Sequence, residues 1–271
     1  MPISSRRHFV GETSPVPIYL KQFTKFPNAG DVASGHIVSQ LLNTTPILAG
    51  EDSLDRPNLI AIGSILHWAD SHSVVWGSGF ISSGVGLRSA PSQVVAVRGH
   101  LTRERLLQMG VDTPARFGDP GILISDFFKP AEVARRGVGI IPHYVDAEHP
   151  FVTQALEHGA TRIDPLSPLD RYLAVLSSCE IILSSSLHGV IFAHAYGIPA
   201  AWIRLSGRVI GDGFKFRDYY SSIGIGPEGI PDLTGDDPYE RAVDSAGVPR
   251  SEIDRDELRS ALLAAAARLE G

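Results

Sequence analysis

The chain contains one cysteine, Cys179, which excludes an intrachain disulfide framework and a cysteine-based zinc site. Lysine is almost as scarce: Lys21, Lys25, Lys129 and Lys215 are the only four. Lys plus Arg amounts to 24 against 30 for Asp plus Glu, a net charge of −6. That balance lacks the basic footprint of a nucleic-acid binder, so no nucleic-acid partner is expected. No apolar run approaches the roughly 18 residues that a membrane span needs. Arg6 and Arg7 precede Phe9 and Val10 without an apolar stretch behind them, so no export signal is expected and the protein is expected to be cytoplasmic. The ten histidines never take the helical spacing of a zinc pair, so no metal is expected. What remains is ample for a globular fold: 271 residues, 43% of them hydrophobic.

Short runs rich in Val and Ile alternate with helix-like stretches. Residues 16–20, 59–62, 74–76 and 94–97 read as buried strands of a first half, and 138–141, 181–183 and 200–203 as strands of a second. Helices are expected over 32–42, 101–109, 169–178 and 187–196, the third with Ser167 as N-cap and Pro168 in the first turn. This alternation predicts an α/β protein with parallel sheets covered on both faces. The boundaries follow the composition: a first domain over 1–132, a second over 133–223, and a linker with a terminal helix over 224–271. Residues 224–250 are rich in Gly, Pro and Asp and read as a surface connection. Ser251 and Asp254 stand in capping-box spacing ahead of the final helix, which would fit packed back on the first half.

Ligands in open parallel sheets bind beyond the carboxyl ends of the strands, so the residues after each strand are the candidates. Ser184-Ser185-Ser186-Leu187-His188-Gly189 follows one strand and opens a helix, where hydroxyls and free amides favour a phosphate or carboxylate. The serines also read as simple helix caps, and His188 as a buried imidazole. Asn28-Ala29-Gly30-Asp31 follows the first strand; Asn28 and Gly30 can turn the chain, and Asp31 can cap the helix at Val32 or serve as a base. Arg98 ends an apolar strand and is expected at the sheet's carboxyl edge as a fork for an anion, with Arg103 and Arg105 solvated on the next helix. Ser64, Ser78 and His143 also follow strands, while His67 reads equally as core or cleft. Cys179 is expected to be buried and inert. Lys215 lies in Phe214-Lys215-Phe216-Arg217-Asp218-Tyr219-Tyr220, an amphipathic helix in preference to a sugar-stacking stretch.

Taken in order, nine segments resemble the polysaccharide pyruvyl transferase family, and most closely its xanthan-type ketal pyruvyltransferase branch. They are Asn28 to Asp31, Ile62 to His67, Trp76 to Gly79, Val97 to Gly99, Gly118-Asp119-Pro120-Gly121, Ile141 to His143, Ser184 to Gly189, Ala195 to Pro199, and Phe214-Lys215 with Asp218 to Tyr220. The resemblance implies two Rossmann-like domains facing a cleft in a GT-B-like arrangement, the first on the acceptor side and the second on the donor phosphate side. It implies transfer of a pyruvyl group from phosphoenolpyruvate, a substrate rather than a cofactor, to a sugar of an exopolysaccharide or lipid-linked oligosaccharide. The product would be a cyclic ketal, and a lipid-linked acceptor would bring the enzyme to the inner face of the cytoplasmic membrane. His188 is then expected as the proton donor to the methylene carbon, with Asp31 or His143 as base. Arg98, Ser185, Ser186, Lys215, Asn28, Gly30, Ser64, His67 and Ser78 would bind substrate. Many relatives place Arg before the Leu-His pair, where this chain has Ser186, so more of the donor's charge falls to Arg98 and Lys215.

A nucleotide-sugar glycosyltransferase of the same architecture is the main rival, and a non-catalytic glycan-binding protein the third reading. Oligomeric state is not encoded in these patterns.

Overall fold

The computed structural model describes residues 17–52, 54–131, 134–226, 229–234 and 236–269. The chain starts with β1 (Tyr19–Lys21), α1 (Ala29–Leu42), β2 (Ile47–Ala49), β3 (Asn58–Ile60), β4 (Ser73–Trp76), β5 (Gln93–Ala96), α2 (His100–Gln108) and the short α3 (Ile124–Phe127). It continues with β6 (Val138–Ile141), α4 (Pro150–Glu157), β7 (Thr161–Arg162), α5 (Leu169–Ser177), β8 (Ile181–Ser184), α6 (Leu187–Ala195) and β9 (Ala200–Trp202). The last helices are α7 (Phe214–Ser222), α8 (Pro238–Asp244) and α9 (Arg255–Ala265). The expected strand at 16–20 begins at a residue outside the described ones.

Two sheets form, in the orders β2-β1-β3-β4-β5 and β7-β6-β8-β9. Every pairing within them is parallel, as β-rich apolar runs joined through helices dictate. The central strands β3, β4 and β8 are almost wholly buried, which is why their sequences read as continuous apolar runs. The edge strands β2 and β7 are largely exposed and carry no such run, so periodicity does not reveal them.

The largest apolar cluster is shared between the sheets: Leu20, Ile37 and Trp76 join Leu173, Ile182 and Phe192. Helix α9 closes it with Leu258 and Leu262, and Trp76 Nε1 donates to the Leu258 carbonyl at 2.8 Å. The terminal helix thus does pack on the first half. Its N-cap is Asp254, whose carboxylate accepts the Glu257 N–H at 2.8 Å, rather than Ser251. Likewise Pro168, not Ser167, stands at the N-cap of α5. The stretch over 224–250 is more than a connection. Within it α8 buries Tyr239 and Ala242 against Ile140, Phe151 and Leu183, and Gly247 pairs with Ala200 at the edge of β9. None of the helices among the described residues is long and apolar enough to cross a membrane.

Candidate active site

In each sheet the winding reverses once, between β1 and β3 in the first and between β6 and β8 in the second. A reversal leaves a crevice at the strands' carboxyl ends. The loops leaving these four strands carry Asn28, Ser64, His143, Ser185 and Ser186, and the first turns of the helices α1 and α6 that follow carry Asp31 and His188. Topology alone therefore gathers most of the expected residues.

Asn28 caps α1. Its Oδ1 accepts the Asp31 N–H at 3.1 Å and its Nδ2 donates to the Asp31 carboxylate. The expectation that Asp31 caps a helix starting at Val32 is corrected: Asn28 has the extended backbone and the free amide oxygen that an N-cap needs. Asp31 is released into the first turn, 7% exposed. Burial pushes its carboxyl up to about 6, against the opposing influence of His188, the Asn28 hydrogen bond and Lys215.

Gly30 is where α1 meets α6. A Cβ there would lie 2.6 Å from His188 Cε1 and closer still to Cγ and Nδ1, so only glycine lets the imidazole lie against the helix. On its other side His188 Nε2 faces Asp119 Oδ2 at 3.8 Å, and both atoms are buried without a hydrogen-bond partner. The second Asp119 oxygen accepts the Gly121 N–H at 2.9 Å and fixes the turn that aims the first. Gly77 belongs to the same assembly: its φ is +82° and a Cβ would overlap Pro120.

Ser186 is the N-cap of α6 but makes no side-chain cap bond. Ser184 holds the turn instead, accepting the Ser186 N–H at 3.0 Å, while Ser185 Oγ accepts the His143 N–H at 2.8 Å and ties the ends of β6 and β8. The His143 ring accepts the Val145 N–H through Nδ1 at 3.3 Å, so its neutral form carries the proton on Nε2. Burial, then Lys215, push this imidazole down to about 4, with Asp146 pulling the other way.

Arg98 does not stand open at the sheet edge. Its side chain is fully buried, with Nε donating to Asp218 at 2.9 Å, Nη1 to Ser64 Oγ at 2.7 Å and Nη2 to the Phe80 carbonyl at 2.7 Å. Asp218 also accepts from Thr102 N and Oγ1 at 2.7 and 2.6 Å, which joins α2 to α7. Arg103 and Arg105 are held too, the latter by the Ser82 and Val85 carbonyls at 2.7 and 2.6 Å with its guanidinium over the Phe80 ring. Lys215, one turn before Asp218, makes no hydrogen bond or ion pair among the described residues. Burial, then Arg98, push its ammonium down to about 8, with Asp31 acting in opposition. It borders a cavity of about 60 Å³ that Ser185, Asp146 and Trp202 also line.

The structure thus brings Asn28, Gly30, Asp31, His143, Ser185, Ser186, His188 and Lys215 together, with Arg98 and Ser64 locked behind them. Ser78 is buried, donating to the Gly63 carbonyl at 2.8 Å. His67 lies apart, in a 3₁₀ turn over Leu66–Trp68, where burial lowers its imidazole and Glu51 and Arg88 are its charged neighbours. Cys179 is buried as the sequence implied, and burial raises its thiol. Sequence reasoning missed the roles of Asp119 and Asp218. The Asp119-Pro120 step was a readable cap signal, and Asp218 stands in a segment that resembles the family, but nothing local shows that it pairs with Arg98. Among the described residues no three His, Cys, Asp or Glu side chains converge as a metal site requires.

A model of the polysaccharide pyruvyl transferase family matches residues 73–207. The chain is 32% identical over 224 residues to the uncharacterized protein L143 of Acanthamoeba polyphaga mimivirus, spanning 79% of this chain and 77% of that protein. It is 27% identical over 179 residues to the succinoglycan biosynthesis protein ExoV of Rhizobium meliloti (strain 1021), spanning 62% of this chain and 54% of that protein.

Proposed function

The chain belongs to the polysaccharide pyruvyl transferase family, and from that premise we propose that it moves a pyruvyl group from phosphoenolpyruvate to two hydroxyls of a glycan sugar, closing a cyclic ketal. The acceptor is an exopolysaccharide unit or its lipid-linked precursor, met at the cytoplasmic side of the membrane. In this reading the two parallel sheets are Rossmann-like halves of a GT-B-like enzyme.

The observation that carries the donor assignment is Lys215. A partly buried ammonium that makes no hydrogen bond or ion pair among the described residues, on the wall of the cavity that Ser185 also lines, is unfavourable until an anion arrives. Phosphoenolpyruvate is anionic at both ends and would supply that partner. Arg98, fully engaged with Asp218, Ser64 and Phe80, acts behind the site by holding α7 and therefore Lys215 in place.

The chemistry then distributes as follows. Asp31 takes the proton of the first sugar hydroxyl as its oxygen bonds to the donor's central carbon; a carboxyl held at about 6 suits that exchange near neutrality. His188 gives a proton to the methylene carbon, which becomes the methyl group. Asp119, 3.8 Å behind Nε2, orients the ring. The C–O bond to phosphate breaks, the second hydroxyl closes the ketal, and its proton leaves with phosphate. His143, neutral with its proton on Nε2, donates a hydrogen bond to the donor's oxygens and does not serve as the base.

Thermal shift with phosphoenolpyruvate, a UDP-sugar and free glycans tests the assignment. Stabilisation by phosphoenolpyruvate and none by the UDP-sugar is expected. The reverse pattern would make the protein a glycosyltransferase.

A further inference from the structure

Two aromatic side chains stand exposed at the mouth of the site, one from each sheet's leading loop. Phe26 lies two residues before the cap Asn28 and is 45% exposed; Tyr144 follows His143 directly and is 37% exposed. Their ring centroids are 5.4 Å apart with the planes at 43°, so the two rings pack on one another and bridge the β1 and β6 loops. Each ring is braced from behind. Phe23, which packs on the apolar cluster of Ile60 and Phe80, lies 6.2 Å from Phe26, and His143 lies 4.2 Å from Tyr144. The remainder of each ring is open to water, an apolar surface of the kind that an amphipathic ligand can cover.

We infer that Phe26 and Tyr144 form a stacking platform for a pyranose ring of the acceptor, an assignment that rests on the transferase reading above. A pyranose presents an apolar face of axial C–H groups and a polar rim of hydroxyls. The exposed outer surface of the pair accepts the first and leaves the second free. Continuity with the reaction site points to the occupant: the Tyr144 ring lies on His143, and Phe26 comes two residues before Asn28, the cap of the helix whose first turn holds Asp31. A sugar seated there lies against the loops that carry Asn28 and His143, while the anionic donor gains no charge partner from aromatic rings.

Saturation-transfer NMR with methyl β-glucopyranoside, methyl β-galactopyranoside and methyl β-mannopyranoside tests the platform, with circular dichroism as a folding control. For wild type the strongest transfer is expected at the axial ring protons of at least one of the three. Phe26→Ala and Tyr144→Ala should each weaken that binding about three- to tenfold, the range of a lost aromatic contact. Tyr144→Phe should retain it, because stacking does not need the hydroxyl. A parallel thermal-shift arm with phosphoenolpyruvate should be unchanged in all three variants. Transfer from none of the pyranosides in wild type, or equal binding by folded alanine variants, overturns the platform. Absence of a phosphoenolpyruvate shift in wild type instead strikes the donor reading and leaves the pyranoside result standing on its own.

Discussion

Asp31 is the residue on which proton chemistry and stability meet, and Asp31→Asn separates them. Its carboxyl lies at about 6 in the folded chain against an ordinary 3.8. Between those values the native state holds a proton that the unfolded state has released, so stability falls as pH rises, by about 1.4 kcal/mol per unit. Over about two units the loss approaches 3 kcal/mol and then stays constant. Asparagine keeps the shape and the contact with Asn28 but cannot ionise. Urea unfolding of both proteins, followed by tryptophan fluorescence, should show Asp31→Asn gaining about 2.5 kcal/mol on wild type between pH 4 and pH 7. His143 and His194, both pushed down to about 4, contribute the opposite slope over this window, but they are common to both proteins and cancel in the difference. Activity should move the other way, falling roughly 10²–10⁴-fold for the loss of a base. A stability difference that is flat with pH would refute the buried carboxyl, and unchanged turnover would refute its role.

Gly30→Ala should lower kcat about a hundredfold, because the new methyl displaces the His188 ring and a shift of about 1 Å is enough for that loss, and should destabilise by about 1–3 kcal/mol through overpacking; retained kcat would show that the ring need not lie there. Arg98→Ala should destabilise by about 3–5 kcal/mol in urea by leaving the Asp218 carboxylate buried without its cation. Lys215→Met should not lower Tm but should abolish the phosphoenolpyruvate-induced thermal shift; the opposite assignment of the two effects would return the donor to Arg98. Asp119→Asn should reduce kcat without altering donor binding by thermal shift, and an unchanged kcat would make Asp119 only a turn residue.

The strands that build the site were legible because they are buried on both faces, and their sequences show it: β3, β4, β6 and β8 all fall on apolar runs. The switch-point loops followed from them, and with those loops came Asn28, Asp31, His143 and His188. Edge strands β2 and β7 were not legible, since exposed strands are specified by their neighbours rather than by their own side chains. Arg98 shows a different limit. Position at a strand end was readable, but whether the guanidinium meets a ligand or a carboxylate depends on Asp218, 120 residues further along the chain. Asp119 and Phe26 gain meaning only from what lies opposite them, and no local pattern records that.

The most direct measurement supplies phosphoenolpyruvate labelled with carbon-13 at its enol carbon, together with a lipid-linked or soluble glycan acceptor, and follows the label by NMR. Pyruvyl transfer predicts that the label appears at a quaternary ketal carbon of the glycan, with one phosphate released per ketal and none released in the absence of acceptor. Label that remains in phosphoenolpyruvate or appears only in free pyruvate, while a UDP-sugar is consumed with the same acceptor, would contradict the account.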